Sequence, residues 1–92
     1  MDEQVTLPAV ADLTYAAPLK DMLMQFFAAG TSVMVDASAV QRLSSPCLQV
    51  LVAGKQSFAK AGGASLLVVN PSQAFHETVS VLGLLDALEL GK

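Results

Sequence analysis

The sequence predicts an α/β layer fold with much parallel strand pairing. Short strand-like segments alternate with longer helix-like segments, three of each, along 92 residues. Glycine, proline and asparagine fall between them, where the chain must turn. One segment, 64–69 (ASLLVV), is apolar throughout, as in a buried parallel strand. Strict strand–helix alternation favours crossover connections and stacked layers.

Each element has its own signal. Residues 4–9 (QVTLPA) alternate, with Val5 and Leu7 on one face, and Pro8 marks a strand end or an edge. Asp12 and Thr14 are candidate caps for the helix that follows. Leu19, Met22, Leu23, Phe26 and Phe27 form a single apolar stripe, and Gly30 ends it. Residues 32–36 (SVMVD) read as a buried strand, and 37–45 as a connection. Ser45 is expected to cap the second helix, with Pro46 at its first position, where a missing N–H costs nothing. Leu48, Leu51, Val52, Phe58 and Ala59 mark the inner face, and Gly62-Gly63 stops the helix. Residues 64–69 are expected to be buried on both faces. Ser72 is a candidate cap for a last helix carrying Phe75, Val79 and Leu82, which Gly83 interrupts. A single domain over 1–92 accommodates all of this.

Composition narrows the function. The chain is 53% hydrophobic and 14% charged, apolar enough to fold and sparse in charge for a small surface. Its net charge is −3, and its five basic residues (Lys20, Arg42, Lys55, Lys60, Lys92) do not cluster. Nucleic acid binding is not expected, because phosphates need a concentrated basic face. A polybasic membrane anchor is absent for the same reason, and no apolar run reaches spanning length. The lone Cys47 permits no internal disulfide, and MDEQ is acidic where a leader peptide is basic. A cytoplasmic location is the expectation.

The motifs are more specific than the composition. AVADLTYAAPL (9–19) and VMVDASAVQRLSSPCLQVL (33–51) are followed by LLVVNPS and by Gly83-Leu84. In this order they resemble the STAS domain family, the fold of bacterial anti-sigma factor antagonists. Asp12 and Ala17-Pro18-Leu19 match the first family pattern. Asp36, Ser38, Val40, Leu43, Ser45, Leu48, Val50 and Leu51 fall in register with the second. The resemblance implies a small mixed sheet with helices mainly on one face. The stretch LSSPCLQVL looks more like chemotaxis-associated members than like the sporulation antagonists, and a third branch it resembles is the small STAS subunit that supports a lipid-transport ATPase. Ser44 stands where the family carries an acid, and Pro46-Cys47 where it carries Ser-Gly.

The resemblance also implies a function. Members regulate by binding protein partners, and in the sigma-regulating branch a partner kinase phosphorylates the serine that corresponds to Ser45. A GHKL-type kinase, either an anti-sigma factor or a chemotaxis kinase, is the implied partner. Asp12, Asp36, Ser44, Ser45, Pro46 and Gln49 would form its docking surface. The alternative is a constitutive adaptor in a chemotaxis or lipid-transport ATPase complex, with Ser45 a helix cap only. Homodimerisation through a sheet edge is a further possibility.

Other reactive residues have plainer explanations. Cys47 suits a small buried position, and His76, the only histidine, suits a solvent-facing helix site. Met22, Met24 and Met34 suggest an adaptable surface, but core packing accounts for most of them. A nucleophile needs a base and the base needs an orienting group, and no spacing here supplies them. Neither catalysis, a metal site nor a cofactor is expected.

Overall fold

The computed structural model describes residues 2–90. The chain runs β1 (Asp2–Thr6), β2 (Val10–Ala11), α1 (Leu13–Ala29), β3 (Ser32–Asp36), β4 (Arg42–Leu43), α2 (Ser45–Ala61), β5 (Leu66–Val69) and α3 (Gln73–Val81). The main sheet has the order β1-β3-β5, and β2 and β4 make a second ladder of two residues each. All of these pairings are parallel, where a mixed sheet was expected; the α/β class and the STAS-type arrangement stand.

Parallel neighbours require crossovers, and the helices supply them. Helix α1 starts at Asp12 and carries Pro18 within it. It ends at Gly30, whose φ of 70° is the left-handed cap that glycine adopts without strain. Gly62, at φ 76°, ends α2 in the same way.

The helices cover one face of the sheet. On that face Val5, Val33, Val35, Leu66 and Val68 are buried against Leu19, Leu23, Leu48, Leu51 and Phe58. Phe75 and Val79 of α3 and Leu88 near the C-terminus complete the core. Fully burying a side chain of this size contributes roughly 1.5–3 kcal/mol.

The other face is open. Gln4, Met34 and Leu67 lie side by side across the three strands, and all are exposed. Residues 64–69 are therefore not buried on both faces: Leu67 is 42% exposed, because none of the described helices covers it. The 37–45 connection likewise contains β4, whose ladder with β2 is too short to leave a periodic signal.

Candidate functional site

The starts of α1 and α2 meet at one end of the domain. The β2–β4 ladder brings them together, and the N–H of Ser44 donates to the carbonyl of Ala11 at 2.8 Å. Cys47, buried in the first turn of α2, donates its thiol to the Asp12 carbonyl at 3.1 Å. Two helix N-termini, with their unpaired N–H groups, thus share one rim.

The cap of α2 is Ser44, not Ser45. The Ser44 hydroxyl oxygen accepts from the Cys47 N–H at 3.4 Å. Ser45 is the first residue inside the helix and Pro46 the second. The β4 strand decides between the adjacent serines, since its last bond to Ala11 holds Ser44 in the extended conformation of a cap. Ser45 is left exposed, and its hydroxyl has no hydrogen-bond partner among the described residues.

Asp12 caps α1. One carboxylate oxygen accepts from the Thr14 N–H at 3.0 Å and from the Thr14 hydroxyl at 2.6 Å. The Thr14 hydroxyl is the chief reason that the carboxyl titrates below its usual range. Tyr15 is pushed up by burial first and by neighbouring Cys47 second.

Asp36 is the last residue of β3. Its carboxylate accepts from the Ser38 N–H at 2.8 Å and, weakly, from the Gln4 amide at 3.4 Å. Hydrogen bonding to Ser38, its hydroxyl first, holds this carboxyl below the usual range. The Ser38 bond closes the turn after β3, the Gln4 bond comes from β1, and neither partner belongs to α2. Asp12, Ser44, Ser45 and Pro46 are brought together, and no hydrogen bond among the described residues links Asp36 to them.

A groove of about 600 Å³ runs between α1 and α2, and Pro46, which follows Ser45 in the chain, is part of its lining. Ala16, Lys20, Met24 and Phe27 line it from α1, and Pro46, Gln49, Val50, Ala53 and Phe58 from α2. Phe27 packs edge-on against Phe58 with ring centroids 5.2 Å apart. Lys20 is the one charged side chain in the lining. Pro46 and Gln49 were expected on this surface; Lys20, Met24 and Phe27 were not. Residues 20, 24 and 27 share a helical face offset from the one that carries Leu19 and Leu23, and Phe27, read as part of the apolar stripe, is 41% exposed on it. Met24, 57% exposed, belongs to this surface rather than to the core.

This arrangement suits docking. The groove offers apolar area with little charge and contains no acid–base pair. His76 is exposed on α3, and no group of three potential metal ligands occurs among the described residues. None of the helices described is long and apolar enough to cross a membrane.

A family model described as "Mlab, STAS domain" matches residues 2–90. No curated protein matches the chain significantly.

Proposed function

The chain belongs to the STAS domain family, and from that premise we propose that it docks a kinase-type signalling partner under the control of Ser45 phosphorylation. STAS domains are as a class non-catalytic regulatory modules, like the anti-sigma factor antagonists. The observation that carries the finer reading is the freedom of Ser45. Ser44 does the capping, so the Ser45 hydroxyl is exposed and uncommitted at a helix N-terminus.

The chemistry follows from position. A GHKL-type partner holds ATP, the Ser45 oxygen bonds to the γ-phosphorus as the bond to ADP breaks, and the hydroxyl proton leaves to the partner. The phosphoserine carries roughly −1.5 to −2 charge. The helix N-terminus stabilises it in the free domain. In the docked state that charge must be dehydrated at the mouth of an apolar groove, beside the Asp12 cap and on a chain of net charge −3. Phosphorylation thus favours release.

The groove itself favours a second reading. An apolar surface with a single lysine holds a partner without help from Ser45, as a constitutive adaptor in a chemotaxis or lipid-transport ATPase complex does. Tagged wild type, Ser45→Ala and Ser45→Asp distinguish the two, with retained proteins and phosphopeptides quantified together. A switch gives a kinase-type protein held by wild type and Ser45→Ala, lost by Ser45→Asp, and phosphate on Ser45. Identical partners for all three forms, with no phosphate, sink the switch and leave the adaptor.

A further inference from the structure

The two outer strands of the main sheet are finished differently. In the β3–β5 ladder Val33 N–H donates to the Ser65 carbonyl, so Leu66 and Val68 turn their backbone groups outward. On that edge one outward group, the Leu66 carbonyl, has a side-chain partner among the described residues. The ammonium of Lys55, a buried residue of α2, donates to the Leu66 carbonyl at 2.8 Å and sits 3.6 Å from the Glu89 carboxylate.

The outward backbone groups of Gln4 and Thr6 on the β1 edge have no such side-chain contact among the described residues. Leu7 N–H donates to the Asp36 carbonyl, which with the parallel register assigns the backbone groups of Glu3, Val5 and Leu7 to β3. Those of Gln4 and Thr6, and of residue 2, face outward. Neither Gln4 nor Thr6 has a backbone partner on that side among the described residues. The strand contains no proline and no lysine, two residues that commonly guard exposed edges.

We propose that the β1 edge pairs with β1 of a second copy, antiparallel about a two-fold axis at Gln4. The strand is self-complementary in that one register. Gln4 falls opposite Gln4 of the second copy, and residue 2 opposite Thr6, so every outward-facing residue meets another outward-facing residue. Symmetric registers shifted by one pair leave some of them unmatched. Glu3 falls opposite Val5, so no acid faces an acid across the axis. The result is a continuous six-stranded sheet whose open face carries Leu67, Met34 and Gln4 from both copies. A contact confined to one strand is smaller than the roughly 1,200 Å² of a standard interface, so the dimer is weak and reversible. The proposal uses no residue of the groove or of Ser45, and it stands or falls separately from the docking function.

Sedimentation equilibrium of the 92-residue chain, from micromolar to millimolar, is the test. The wild-type mass should rise from monomer toward dimer. Gln4→Pro removes an N–H that β3 does not use, and should raise the dissociation constant about tenfold or more. Gln4→Cys gives an independent readout. Directly opposed residues of a hydrogen-bonded antiparallel pair have Cα atoms about 5.5 Å apart, within disulfide reach. Gln4→Cys should therefore crosslink to itself on mild oxidation, while Gln25→Cys, exposed on α1, should not. Cys47 is buried and does not compete. A wild-type mass fixed at the monomer up to millimolar concentration overturns the proposal. So does a folded Gln4→Pro that dimerises as wild type does, or a Gln4→Cys that stays monomeric. Should Gln4→Pro lose its fold by circular dichroism, the crosslinking pair decides.

Discussion

Ser44 and Ser72 open consecutive helices with the same backbone wiring. Each gives its N–H to a carbonyl of an earlier segment, Ala11 for Ser44 and Ala37 for Ser72. Each accepts the first helical bond at its own carbonyl, from Leu48 and His76 respectively. The hydroxyls differ. Ser72 accepts from the Phe75 N–H at 3.1 Å and also donates to the Val40 carbonyl at 2.6 Å. Ser44 accepts at a longer 3.4 Å and its hydroxyl donates to no described residue. One serine is a cap and a tether; the other is a cap alone, followed by a serine whose hydroxyl bonds to no described residue. Identical local chemistry therefore contributes differently according to what the rest of the fold brings within reach.

The largest effect is expected at the tether. Ser72→Ala removes the α3 cap and leaves the carbonyl of buried Val40 without its hydroxyl donor. The two losses together should cost about 2–3 kcal/mol in urea unfolding. Ser44→Ala removes only a cap and should cost about 1 kcal/mol. Equal losses at both sites would show that the Val40 tether contributes nothing and that the contrast is only apparent.

Much of this was legible in the chain. The three helices announced themselves through apolar spacing, and Ser72, placed between Asn70-Pro71 and that spacing, was readable as a cap. The adjacent serines 44 and 45 were not separable, because both precede a proline and both suit a cap. What separates them is the bond from Ser44 to Ala11, thirty-odd residues away in sequence, across a ladder of two residues per strand. Leu67 misled because an apolar run looks the same whether one face or two are covered. Lys55 sat in plain view on the 48–51–55–58 face of α2. Its burial depends on an outward carbonyl of β5 that only the strand order reveals.

A smaller effect concerns the third cap. Asp12 titrates below its reference value of 3.8 because the Thr14 hydroxyl and N–H bond its ionised form. A depressed folded pKa stabilises the fold above the unfolded value, and the contribution is lost as pH falls through the folded one. Asp12→Asn keeps a capping side chain and removes the charge. The stability gap between wild type and Asp12→Asn should be constant from pH 7 to about pH 5 and should narrow steadily below 3.8. A gap that does not change down to pH 2 would mean that the hydroxyl contact does not depend on ionisation. Ser72, a neutral cap, should show no such dependence when its alanine variant is followed over the same range.

The smallest change in stability is expected where the proposed functional effect is largest. Ser45 is exposed, its hydroxyl bonds to no described residue, and its helix is already capped. Ser45→Ala should leave the unfolding free energy within about 0.5 kcal/mol of wild type. Ser45→Asp adds a negative charge to the first turn of α2, which has no acid of its own, and should stabilise the domain by about 0.3–1 kcal/mol. The same substitution is expected to abolish partner retention. Stability and binding should therefore move in opposite directions at this one position. That separates a switch from a damaged fold, because a variant that loses its partner by unfolding loses both together. A Ser45→Asp domain that is destabilised would place the serine back among the structural caps, beside Ser44.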